Sequence, residues 1–146
     1  MTVELLPIVE SSVAEDYPIV TDFQLLMYNK MMDMYRSKTY VEPWIGYFGA
    51  IDNVLVGSCG FKNFPSDGKT EIAYVTFEEY REKGIAREMC RLLVELAGRT
   101  DRSILLTAQT LTTNSASHRI LVKNGFSHVR NFIDGHEYEI MEWELR

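Results

Sequence analysis

The chain has 146 residues, enough for one domain with a single core (residues 1–146) and too few for two. Apolar residues make up 46% and charged residues 25%, an ordinary globular composition, and no apolar run approaches the roughly 20 residues that cross a bilayer. Fifteen basic against 21 acidic residues leave a net charge of −6, which argues against a nucleic-acid binder held by phosphate contacts and suits a cationic partner such as an amine.

No basic-then-apolar signal opens the sequence, so neither membrane insertion nor export is expected and a cytoplasmic location is. Cys59 and Cys90 match no metal or redox spacing and read as reduced core thiols. His118, His128 and His136 show no ligand spacing either, so no metal is expected.

Val3 to Val9 has strand composition. Two capping-box patterns follow, Ser12-Val13-Ala14-Glu15 and Thr21-Asp22-Phe23-Gln24. The second leads into Met27, Met31 and Met34 at helical spacing, either a core-facing stripe or a pliable wall for an acceptor pocket. Trp44 to Ile51 and Val54 to Phe61 read as strands around an Asp52-Asn53 hairpin turn, and Thr70 to Phe77 as the next strand. From Ile85 the period changes: Ile85, Met89, Leu92, Leu93 and Leu96 share one helical face, with Gly98 as terminator. Ser103 to Gln109 is a short buried strand. Asn114 can cap a helix from Ser115 to Asn124, with Gly125 as a left-handed C-cap and Phe126 as its apolar contact. Two strands, Phe126 to Ile133 and Tyr138 to Leu145, close the chain around Asp134-Gly135 and leave an exposed edge that would pair two copies as a homodimer. Helices interleaved with mostly antiparallel strands make a mixed α/β or α+β fold, with one parallel strand–helix–strand crossover.

The turn between the third hairpin strand and the long helix, Glu78 to Arg87, aims free backbone N–H groups at one point. It is not a Walker loop, since Ile85 and Ala86 follow Gly84 where Lys-Ser/Thr is needed, and it lacks the three glycines of a dinucleotide fingerprint. What remains is Arg-x-x-Gly-x-Ala with Arg81, Lys83 and Arg87 as positive charge, which reads either as an anion cradle or as a solvated charged loop.

Arg81-Glu82-Lys83-Gly84-Ile85-Ala86 resembles the Arg/Gln-x-x-Gly-x-Gly/Ala signature of the Gcn5-related N-acetyltransferase (GNAT) superfamily. Asn114 to Phe126 is similar to that family's Asn-x-x-Ser helix and Gly-Phe exit, closest to the branch that acetylates ribosomal-protein N-termini. The resemblance implies a mostly antiparallel sheet of about seven strands with helices on both faces. It also implies acetyl-CoA as co-substrate, with pantetheine pairing along Val75, Thr76 and Phe77. Pyrophosphate would lie on the turn Arg81, Glu82, Lys83, Gly84, Ile85, Ala86 and Arg87. Asn114 would hold the pantetheine or the adjoining loop, and Ser117 would face the thiol. Many relatives carry a tyrosine seven residues after the asparagine; here that position is Leu121, which leaves Ser117 or water to protonate the thiolate.

Acetyl transfer to an amine needs a neutral amine, a stabilised oxyanion and a leaving thiolate. Deprotonating a lysine-type amine of pKa about 10.4 costs roughly 4–5 kcal/mol at pH 7, against about 1 kcal/mol for an N-terminal amine. By the resemblance Glu71 stands where histone-type members carry a catalytic glutamate; it reads as that base, directly or through water, or as a strand-end carboxylate. A backbone N–H near Val75 is the expected oxyanion donor. Tyr28, Tyr47, Tyr74 and Tyr138 would line an acceptor cleft or pack as amphipathic rings. The function expected is direct acetyl transfer to a primary amine (protein N-terminus, peptide or small molecule) in a ternary complex; the alternative is a non-catalytic acyl-CoA-binding module.

Overall fold

Alternating apolar stretches become seven strands that hydrogen-bond into one sheet, described for residues 2–145 in a computed structural model. In chain order the elements are β1 (Glu4–Pro7), α1 (Asp22–Ser37), β2 (Gly46–Ile51), β3 (Val54–Phe61), β4 (Lys69–Thr76), α2 (Ile85–Thr100), β5 (Leu105–Leu111), α3 (Ser115–Lys123), β6 (Ser127–Ile133) and β7 (Glu139–Leu145). Single 3-10 turns stand at Ala14–Asp16 and Glu78–Tyr80. The sheet order is β1-β2-β3-β4-β5-β7-β6, antiparallel throughout except for the parallel pair β4–β5. The expected mixed, mostly antiparallel architecture is the one observed. β6 forms one edge and is largely exposed.

Helices cover both faces. α1 lies on one, where Tyr28, Phe48, Leu55 and Phe77 are buried together. α2 lies on the other, its fully buried Met89, Cys90 and Leu93 packed with Ile72, Leu106 and Leu121 of α3. Glycines allow this close seating: a Cβ on Gly46 would stand 2.3 Å from the Met31 sulfur, and one on Gly49 2.7 Å from that of Met89.

The local signals set most boundaries. Thr21 Oγ1 accepts from Gln24 N–H at 3.1 Å and starts α1. Asn53 (φ 62) and Asp52 (φ 50) take the two left-handed positions of the β2–β3 hairpin. Gly125 (φ 89) ends α3, with Phe126 N–H returning to Leu121 O.

Three expectations are corrected. Ser12 caps nothing; its hydroxyl donates to Val9 O, and the 3-10 turn starts from Val13, whose N–H donates to Asp16. Gly98 does not stop α2, because no left-handed φ breaks the ladder there and the helix ends at Thr100, with Asp101 N–H on Ala97 O. The last hairpin is wider than an Asp134-Gly135 pair: Asp134 Oδ1 accepts from both His136 and Tyr138 N–H, and Glu137 carries the positive φ.

Candidate active site

β4 pairs with its two neighbours over different lengths. Against β3 it runs from Ile72 to Thr76, but against β5 only Lys69, Thr70 and Glu71 have partners. Beyond Glu71 the strands part. Antiparallel ladders alternate, so the direction of each amide can be read from the ends. Lys62 N–H donates to Glu71 O and Phe77 N–H to Val56 O, which turns the polar groups of odd-numbered β4 residues toward β3. Those of Tyr74 and Thr76 therefore face the opening. Val75, near which an oxyanion donor was expected, stands opposite Ser58 with its own amide committed to β3, so the amides open here are those of Tyr74 and Thr76.

After β4 the chain passes through Glu78–Tyr80 into a turn where Glu82 (φ 64) and Gly84 (φ 80) are both left-handed. Gly84 is the N-cap of α2 and brings no side chain to it. The first amides of α2 are thus left for a ligand. They border a cavity of about 920 Å³ whose walls are Tyr74 to Thr76, the turn Arg81, Glu82 and Gly84 to Arg87, and the α3 face with Asn114 and Ser117. Two sequence segments thirty residues apart meet in one cleft.

Within α3, Asn114 Oδ1 accepts from Ser117 N–H at 3.1 Å, so its oxygen serves the helix start. Ser117 Oγ lies 2.8 Å from the Tyr74 hydroxyl. Burial pushes that phenol up to about 12, against a smaller lowering by the bond to Ser117. Tyr74 therefore stays protonated, and either hydroxyl can donate across this contact; in the arrangement where Tyr74 donates, the serine proton is free to turn into the cleft.

A second cavity, of about 210 Å³ and almost wholly apolar, lies on the α1 face between Met27, Met31 and Met34 and the strands β3 and β4. It shares Tyr74 and Val75 with the large cleft. At its end Lys62 forms an ion pair of 2.7 Å with Glu71.

The acetyltransferase (GNAT) domain model matches residues 14–127. The chain belongs to the GNAT family. It is an acetyl-CoA-dependent N-acetyltransferase. Solved structures share the fold across almost its whole length. A spermidine N-acetyltransferase chimera of SpeG from Vibrio cholerae and hSSAT aligns with a TM-score of 0.72 at 10% identity, over 98% of this chain and 94% of the other. RimL, the ribosomal L7/L12 alpha-N-protein acetyltransferase, in complex with coenzyme A gives 0.72 at 15% identity over 98% and 93%. A GNAT-family acetyltransferase from Bacillus anthracis gives 0.67 at 19% over 98% and 93%. Among curated proteins no match is found.

In this GNAT protein the residues named from the sequence divide. Val75, Thr76, Arg81, Glu82, Gly84, Ile85, Ala86, Arg87, Asn114 and Ser117 border the large cleft together. Phe77 and Lys83 are not on its wall: Phe77 is 3% exposed, its ring packs edge-on against Phe23, and its N–H is spent on Val56. Tyr28 and Tyr47 are core residues rather than cleft walls. The Tyr28 hydroxyl meets Ser12 Oγ at 2.9 Å, and Tyr47 donates to Pro43 O at 2.6 Å on the α2 face. Tyr138 is 59% exposed in the last hairpin and borders neither cavity.

Arg119 and Lys123 of α3 were not foreseen, yet both line the cleft beside Arg87. The signal was available: Ala116, Arg119, Ile120 and Lys123 recur at i, i+3, i+4 and i+7, one helical face. No helix among the described residues is long and apolar enough to cross a membrane. No cluster of metal-ligating side chains occurs among them either.

Proposed function

We propose that residues 1–146 act as one domain that binds acetyl-CoA in the 920 Å³ cleft and passes its acetyl group directly to a primary amine in a ternary complex. The observation that carries this reading is the convergence of the uncapped α2 start with Ser117 across the parted β4 and β5 strands. Pyrophosphate would take the amides of Ile85 to Arg87, with Arg81, Arg87, Arg119 and Lys123 as counter-charge. Pantetheine would lie along the free amides and carbonyls of Tyr74 and Thr76. The thioester carbonyl would then receive an N–H of the same strand as charge develops on oxygen.

The amine attacks from the α1 face, on the side of Glu71. Held by Lys62, Glu71 is a base that works through water, since extended chain from Glu71 to Val75 spans roughly 13 Å. The nitrogen lone pair forms the new C–N bond, the tetrahedral intermediate expels the coenzyme A thiolate, and Ser117, backed by Tyr74, supplies a hydrogen bond or proton to that sulfur. A thiol of pKa about 8.5 needs little more help.

Saturating acetyl-CoA should raise stability by about 2.7 kcal/mol at 100 times its dissociation constant, and thiol release should require an added amine. Glu71→Gln and Ser117→Ala should each lower kcat by about tenfold or more. Absence of thermal stabilisation removes the acetyl-CoA reading. Stabilisation by acetyl-CoA with no thiol release on any amine favours a binding module, and full turnover by both variants removes the residue roles.

A further inference from the structure

The methionine-lined cavity on the α1 face is almost wholly apolar and opens beside the cofactor cleft. We infer that it selects the acceptor, a monoamine whose amino group is borne on a compact apolar body; the inference rests on the acetyl-transfer reading above. Three observations support it.

The cavity touches the cofactor cleft through Tyr74 and Val75, so a group seated in it presents its amine at the parted strands. Its wall is built from Met27, Met31 and Met34 against Ala73 and Val75, with Ser58 and Lys62 as its polar side chains apart from the Tyr74 hydroxyl, which is bonded to Ser117. A volume of about 210 Å³ holds a phenyl or branched alkyl group and not a peptide chain or aminoglycoside. Thioethers adapt to either shape.

Charge at the cavity end sets the second half of the selection. A polyamine needs several carboxylates along its length. Here no carboxylate stands among the residues that line the cavity, and Glu71 at its end is already held by Lys62. Lys38 is exposed just beyond and donates to Lys62 O at 2.9 Å; Arg36, on the adjoining surface, is already paired with Asp33 at 2.9 Å. A second ammonium on the acceptor would meet cations. A single ammonium loses its charge before attack and then matches an apolar wall.

The experiment is a steady-state comparison of phenethylamine and isoamylamine with spermidine and a short peptide N-terminus, using acetyl-CoA and full-length protein. The apolar monoamines should show kcat/KM at least about tenfold above spermidine and the peptide. Met34→Lys should raise the monoamine KM by about tenfold while leaving the acetyl-CoA KM within about twofold, and Met34→Leu should stay near wild type. Preference for spermidine or the peptide overturns the inference, as does a Met34→Lys enzyme with unchanged amine KM. Stabilisation by acetyl-CoA with no turnover of either monoamine also overturns it and leaves the cofactor reading standing. Loss of acetyl-CoA binding itself takes down both.

Discussion

Tyr74 occupies the meeting point of both cavities, and its hydroxyl shares a hydrogen bond of 2.8 Å with Ser117 Oγ. Leu121, at the position where the family resemblance leads one to expect a tyrosine, is buried, and the phenol that meets Ser117 comes from the sheet. If Tyr74 orients Ser117, Tyr74→Phe should lower kcat by about five- to tenfold and leave the acetyl-CoA KM nearly unchanged, the size of one lost hydrogen bond. Tyr74→Phe combined with Ser117→Ala should cost little more than Ser117→Ala alone, because the two groups act as a unit. Additive losses in that double-mutant cycle would separate Tyr74 from the chemistry. The place of Ser117 at the start of α3, beside Asn114, was readable from the Asn-x-x-Ser spacing. Its partner was not, since 43 residues separate the two and strand parity decides which way a tyrosine points.

Among the elements, the turn into α2 bears the most on function. Gly84 sits at φ 80 and ψ 9, the left-handed region, and its lack of a side chain leaves the helix amides open. Gly84→Ala should cost about 1–2 kcal/mol of stability and raise the acetyl-CoA KM, with the amine KM unaffected. Thermal unfolding with and without acetyl-CoA checks both parts; an unchanged cofactor KM would mean the turn does not hold the phosphates. Element ends that follow from local chemistry were legible in the sequence, as Thr21, Asn114 and Gly125 show. Gly98 misled because a glycine in a helix stops it only if the chain turns left-handed, and packing of Leu93 and Ala97 carries α2 onward to Thr100. The methionines admitted two readings: Met31 packs onto Gly46 as a core-facing stripe would, and it also walls the small cavity, whose use by an acceptor belongs to the proposal above.

Across the whole molecule, buried acids other than carboxylates govern the response to alkali. Burial raises the Cys90 thiol to about 12, and pushes up Cys59, Tyr35 and Tyr47 as well as Tyr74. Each has a folded pKa above its unfolded value. Its contribution is complete below the unfolded pKa and is lost as pH rises toward the folded one. Stability should therefore fall from about pH 9, where unfolded thiols begin to ionise, and more steeply above about pH 10, where phenols join them. Urea unfolding followed from pH 7 to 11 checks this; a flat profile would mean the core admits water to these groups. The chain order of the elements and the parallel crossover were legible in the sequence, but the insertion of β7 between β5 and β6 and the parting of β4 from β5 were not, since pairing and register between strands distant in sequence are not local properties of either.

That parting divides the sheet into a four-stranded half, β1 to β4, and a three-stranded half, β5 to β7, joined by only Lys69, Thr70 and Glu71 against Leu105, Thr107 and Leu106. An extended ligand laid along Tyr74 and Thr76 would act as a borrowed strand segment and mend the seam. The co-substrate would then be a structural member as well as a reagent, adding backbone hydrogen bonds across a seam that only the shared core around α2 otherwise spans beyond Glu71.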